Sequence, residues 1–118
     1  MKLKDPRVSI LGADPTDRSH RINANSFQQN AITTVNGWQY AAFYTNAALS
    51  WDHKRSCHPN LTRRNIRSTE SSDGVGQWET ICFDDYEQTV DDGHNTISIG
   101  VCSGDGTVHM AFDHHCDE

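Results

Sequence analysis

Apolar and polar positions alternate along this chain in short runs, and no stretch carries the period of an amphipathic helix. The clearest pattern is "DDGHNTISIGVCSGDGTVHMAFDHHC", Asp91 to Cys116. With "SGDG" (Ser103 to Gly106) as a four-residue loop, Cys102 faces Thr107. Val101 then pairs with Val108, Ile99 with Met110 and Ile97 with Phe112. All six apolar side chains fall on one face, an agreement that a one-residue slip destroys. Carried to the open end of the hairpin, the same register sets His94 opposite His115 and Asn95 opposite His114.

A second hairpin is predicted in "FQQNAITTVNGWQYAAFYTN", where Asn36-Gly37 separates two apolar runs. A two-residue turn places Val35 opposite Trp38, Thr33 opposite Tyr40 and Ile32 opposite Ala41. Both faces then carry apolar side chains, so this hairpin needs cover on two sides. "WETICF" (Trp78 to Phe83) alternates and reads as a strand. "NLTRRNIRS" could form a polar edge strand. "SWDHKRSCHPN" has neither period, and Pro59 is expected to exclude a central strand there. Residues 46–77 therefore read as largely loop, and residues 1–25, with Pro6, Pro15 and scattered charge, as an irregular lead-in. The expected fold over residues 26–118 is all-β: a partial β-propeller of about two blades of antiparallel hairpins, leaving an incomplete ring.

Composition narrows the function. The 118 residues fit one small domain, and an apolar share of 35% limits the core it can build. Net charge is -6, with no concentrated basic patch, so nucleic acid and anionic membranes are unexpected partners. No apolar run is long enough to span a bilayer. "VSILGA" near the amino end is too short for a signal-peptide core and follows Asp5 and Pro6. Cys57, Cys82, Cys102 and Cys116 allow three pairings and match no zinc-knuckle or redox spacing. "NLT" at Asn60 to Thr62 fits a glycosylation acceptor, which matters only for an exported chain.

The converging histidines carry the candidate chemistry. His94 and His115, flanked by Asn95, Asp92 and Asp113, could act as a base and a charge-stabilising partner, since imidazole titrates near neutral pH. With Cys116 and Cys57-His58 they could instead hold a transition metal, and a zinc-stabilised domain would draw on His114, His115, Cys116 and Cys57 or His58. They could also be a polar rim without chemistry. His109 sits mid-strand on the opposite face, as a surface or inter-blade residue. His20, His53 and His58 lie in unpatterned sequence and are given no role. "DDYEQTVDDG" lacks the alternation and closing Glu of a calcium loop and reads as a solvated acidic loop. Among Trp38, Tyr40, Tyr44, Trp51, Trp78 and Tyr86, any could stack on a sugar ring. Trp38 and Trp78, at alternating strand positions, read as packing.

Three phrases, "NSFQQNAITTVNGWQYAAFYT", "LTRRNIRS" and "YEQTVDDGHNTISIGVCSGDGTVHMAFDHHC", resemble the amino-terminal portion of the BNR-repeat (neuraminidase-like) proteins. That group forms seven-bladed β-propellers and includes ulvan lyases and rhamnose–glucuronate lyases. The resemblance covers roughly residues 25–46 and 61–116. It implies a secreted, carbohydrate-active protein whose partner is an anionic polysaccharide or oligosaccharide cleaved by β-elimination beside a uronic acid. By resemblance, His94 and His115 match catalytic positions, with His114 the competitor of His115. Gln29 and Asn30 match positions near the central mouth, where Asn95 would also bind substrate. The residues themselves demand no cofactor, and the resemblance leaves calcium or zinc open. A seven-bladed ring takes roughly 300 residues at 40–50 per blade. The chain is accordingly expected to be an amino-terminal fragment, inactive alone because lyases of this group also use Tyr and Arg from later blades. A non-catalytic carbohydrate- or protein-binding β module and a zinc-stabilised β domain are the alternatives.

Overall fold

The structure, a computed structural model, describes residues 8–15, 18–23, 25, 30–47, 56–70 and 75–116. Gln29, Trp51 and His53 lie outside the described residues. Six strands form among the described residues: β1 (Ile32–Val35), β2 (Trp38–Asn46), β3 (Cys57–Asn65), β4 (Glu79–Cys82), β5 (Ser98–Val101) and β6 (Val108–Ala111). β1 to β4 make an antiparallel meander in sequence order, and β5 and β6 make a separate hairpin. There is no helix among the described residues. The architecture is all-β and consistent with partial propeller blades. Among the described residues it comprises one four-stranded sheet and one two-stranded hairpin.

Both predicted hairpins have the expected register. Val35 pairs with Trp38, Thr33 with Tyr40 and Ile32 with Ala41. Asn36 and Gly37 turn the chain at φ 50° and 84°, the left-handed values that a two-residue turn of this hand requires. Arg67 also packs against Gly37, leaving little room for a side chain there. In the second hairpin, Val101 pairs with Val108 and Ile99 with Met110, while the Cys102 N–H donates to the Thr107 carbonyl. The amide of Asn36 donates to the Ser103 carbonyl at 2.9 Å, so the two turns meet and both hairpins point the same way.

The segment expected to be mostly loop contains β3, a nine-residue strand between β2 and β4. Pro59 lies inside it, opposite Tyr44. Its tolerance has a specific cause. Tyr44 turns its N–H and C=O away from β3, to the amide of Asn23 at 2.8 and 2.9 Å. The Tyr44–Pro59 pair therefore exchanges no ladder bonds between β2 and β3. On the other side the Pro59 carbonyl accepts from Phe83 just beyond the last β4 pair, Asn60–Cys82. The missing N–H thus falls where the β4 ladder has stopped, and a proline interrupts nothing.

One face of the sheet meets the β5–β6 hairpin. Tyr40, Ala42, Tyr44 and Cys57 pack there with Ile97, Ile99 and Ile22, while Val101, Val108, Met110 and Phe112 close the margin. All six apolar residues of the second hairpin thus face one core. On the reverse face, residues Leu11 to Asp14 lie over β2, with Gly12 close against Phe43 and Thr45. The two-sided cover that the first hairpin needed comes from the hairpin on one side and the lead-in on the other. That lead-in forms no strand among its described residues, yet Ile22 is a core residue with 2% exposure.

Candidate functional site

The site lies at the open end of the β5–β6 hairpin, opposite the turns. Here the backbone ladder has ended, since the last strand pair is Ser98–Ala111. Side chains take over. Asn95, fully buried, donates from its amide nitrogen to the His115 carbonyl at 2.9 Å, and its amide oxygen accepts the His115 N–H at 2.7 Å. One asparagine thus satisfies both backbone groups of one residue, as a neighbouring strand would. The ladder extrapolation set Asn95 opposite His114; the observed partner is His115. The cause is Asp113, which adopts φ 52° and takes the chain out of strand geometry before it arrives.

Asp113 is held in that conformation from inside. Its carboxylate accepts from the Tyr86 hydroxyl and, at 3.0 Å, from the Gln88 amide. Gln88 is fully buried and bridges to Cys57 through two 2.8 Å backbone bonds. Burial and then the Asp113 charge push the Tyr44 hydroxyl well above its ordinary pKa, so it stays neutral. Asp113 is therefore an anchor beneath the site, bonded to core residues.

Above it, Asp92 holds the two imidazoles. Its Oδ1 accepts the His94 backbone N–H at 2.8 Å, a local turn that aspartate favours, and meets His94 Nδ1 at 2.6 Å. Its Oδ2 meets His115 Nδ1 at 2.8 Å. The rings stand 4.9 Å apart, centre to centre. The backbone and side-chain bonds from His94, then those from His115, hold the Asp92 carboxyl far below its usual range despite some desolvation. It is a permanent anion between two titratable rings. The side chains of His94 and His115 are 65% and 48% exposed, open enough to meet a ligand.

The rest of the wall comes from the lead-in. Asp91 accepts the N–H groups of Ser19 and His20 at 2.8 and 3.1 Å, and Arg18, buried, reaches Asp91, Val90 and Cys57. Asn25 donates to the carbonyls of Arg21 and Gly93. The Arg21 carbonyl would stand 3.0 Å from a β-carbon at Gly93, so the segments approach this closely only because position 93 has no side chain. Together Ser19, His20, Arg21, Asn25, Asp92, Gly93 and His94 line an open depression of about 460 Å³. His20, Arg21 and Asn25 are the site residues that sequence reasoning missed. They lie in a stretch with no period, and no local signal marks them.

The other candidates are placed elsewhere. His114 is exposed and makes no bond to the pair. Asn30 gives its carbonyl to the Ile99 N–H at 3.1 Å and so serves the hairpin junction. Cys57 is buried against Arg18, and His58 Nδ1 lies 2.8 Å from the Tyr86 carbonyl, so neither joins a metal set with His115. Asp92, His115 and Cys116 do come together, with ligand atoms within 4.8 Å of one another. Trp38 and Trp78 pack under guanidinium groups, Arg63 at 4.8 Å and Arg64 at 4.5 Å from the respective rings.

No curated protein matches the chain. Residues 38–118, well over half of the sequence, match the profile described as BNR repeat-containing family member. The match takes in β2 to β6 and the whole cluster at Asp92, His94 and His115. This chain belongs to the BNR repeat-containing family.

Proposed function

We propose that this propeller-type module acts on uronate-bearing polysaccharide, with the His94–Asp92–His115 cluster transferring the proton in a β-elimination. The observation that carries this reading is the single carboxylate holding both Nδ1 atoms with the rings 4.9 Å apart beside an open depression. Because Nδ1 of each ring is committed to Asp92, exchange with a ligand falls to Nε2. His94 lines the depression and takes the part of base. It removes the proton on the carbon beside the sugar carboxylate. The released electron pair forms a carbon–carbon double bond, and the bond to the glycosidic oxygen breaks. That oxygen leaves with a proton from the second imidazole or from water. Arg21 at the rim supplies positive charge for the sugar carboxylate as its own charge grows, with His20 beside it.

The test is direct. Wild-type protein with glucuronate-containing polysaccharides should generate the ultraviolet absorbance of an unsaturated sugar. His94→Ala should lower the rate by about 10²–10⁴-fold, the usual worth of a positioned base. A second reading, recognition without turnover, is favoured by the openness of the depression. It predicts unchanged binding in His94→Ala with no product from either protein, and that result would retire the elimination.

A further inference from the structure

At the Asp92–His115–Cys116 corner three atoms of metal-ligand type crowd together, within 4.8 Å of one another. The Cys116 Sγ and Asp92 Oδ2 both approach the same ring nitrogen, His115 Nδ1, at 3.4 and 2.8 Å, and are 3.8 Å from each other. The ring nitrogen meets the Asp92 carboxylate, and the Cys116 thiol reaches the same carboxylate oxygen as a long, weak donor. A nucleophilic Cys–His–Asp relay is excluded, because a relay places thiol and carboxylate on opposite ring nitrogens. The three potential ligand atoms form a compact triangle. Ligands about 2.0–2.3 Å from a tetrahedral zinc ion stand roughly 3.3–3.7 Å apart. The three edges here, 2.8, 3.4 and 3.8 Å, bracket that spacing.

We infer that Asp92 Oδ2, His115 Nδ1 and Cys116 Sγ form a binding site for a zinc-type divalent transition metal, with the fourth position open to solvent. A thiolate beside an imidazole favours such an ion over calcium or magnesium, which take oxygen ligands. The donors are pre-positioned. Asn95 pins the His115 backbone on both sides, and Cys116 holds φ 56°, a conformation uncommon for a residue with a side chain. Asp92 keeps its other oxygen on His94 Nδ1 at 2.6 Å, the outer-shell carboxylate–histidine contact that orients metal ligands. On binding, the Cys116 thiol releases its proton to solvent and His115 binds through Nδ1 as a neutral ring with its proton on Nε2. His94 stays outside the coordination sphere; the site shares Asp92 and His115 with the cluster proposed above, and its test reads metal without any sugar chemistry.

The test reads metal directly and needs no polysaccharide. The 118-residue chain is stripped with a chelator and titrated with Co²⁺, which is then displaced with Zn²⁺. The expected result is a thiolate-to-cobalt charge-transfer band with tetrahedral visible bands, lost on adding Zn²⁺. Cys116→Ser should remove the charge-transfer band, and both Cys116→Ser and Asp92→Asn should weaken Zn²⁺ binding by at least about tenfold. Cys82→Ser and Cys102→Ser should leave band and affinity unchanged, while His94→Ala should keep the band with weaker affinity, because it removes the contact that orients Asp92. Circular dichroism confirms that each variant folds. The inference fails if the wild-type chain binds neither ion, if Cys116→Ser binds as tightly as wild type, or if Cys82→Ser or Cys102→Ser removes the band. Its failure leaves the elimination assay untouched.

Discussion

The β1–β4 sheet and the open end of the β5–β6 hairpin solve the same problem by different means. In the sheet, backbone groups pair with backbone groups, from Val35–Trp38 through Arg63–Glu79. At the hairpin's open end they pair with side chains: Asn95 with the His115 backbone, Asp92 with the His94 N–H, Asp91 with Ser19 and His20. The sheet borrows this device once, where Asn23 takes both backbone groups of Tyr44 beyond the end of β1. A ladder tolerates many sequences, because every residue except proline brings the same two groups. A side-chain clamp depends on one residue type at one position. Substitutions should therefore be felt sharply at the hairpin and weakly along the exposed sheet edge.

The same residue type tests this in both regions. Ile97 is fully buried just before β5, whereas Ile81 in β4 is 61% exposed. Ile97→Ala should cost about 3 kcal/mol, through lost burial and the cavity left behind. Ile81→Ala should change stability by less than about 0.5 kcal/mol. Urea midpoints of the two variants decide it. Equal losses would mean that the hairpin does not share a core with the sheet.

The uneven legibility of the sequence follows from the same contrast. Period-two patterning and the Asn36-Gly37 turn signal read out both registers, because alternation repeats over several positions and one slip would expose Ile97, Ile99 and Val101 together. β3 was hidden for the opposite reason. Its core face carries Cys57, Pro59 and Leu61, and its reverse face carries Asn60 and Thr62, buried polar residues satisfied by Thr45 and by the Glu79 carbonyl, so no alternation of apolar and polar marks it. Pro59 pointed away from a strand because its missing N–H matters only where a partner is waiting. At the site, the nearness of His94 and His115 was readable from register. Asp92 as their common partner, and the approach of His20 and Arg21, were not, since those contacts arise from turns without a period.

Breaking the clamp should have the next largest effect. Asn95→Ala leaves the His115 N–H and C=O without partners in a partly buried place, and two such bonds are together worth about 2 kcal/mol. The His94–His115 contact should disappear with them, seen as loss of cross-peaks between the two rings by NMR. The conservative Asn95→Asp keeps one acceptor for the His115 N–H but loses the donor to its carbonyl, and should fall between. Retention of the ring contact in Asn95→Ala would show that Asp92 alone holds the pair.

The smallest effect expected is electrostatic, and it again separates the two ends of one hairpin. Burial works to raise the Asp91 pKa, but the N–H groups of Ser19 and His20, with Arg18, outweigh it and hold the carboxyl at about 2. Asp105, in the hairpin loop, is also held at about 2, by the Thr107 N–H before anything else. A lowered folded-state pKa stabilises the fold above the unfolded value of about 3.9, and that contribution is lost as pH falls through about 2. Asp91 joins segments far apart in sequence, so Asp91→Asn should destabilise the chain by about 1 kcal/mol at pH 5, after allowance for solvent screening. Its stability curve should meet that of the wild type near pH 2. The Asp105 bonds are local to one loop and fully solvated, so Asp105→Asn should follow the wild-type curve much more closely. If the two variants instead shift the acid transition equally, the lead-in is not held to the site by Asp91, and the wall of the depression built from His20 and Arg21 loses its support.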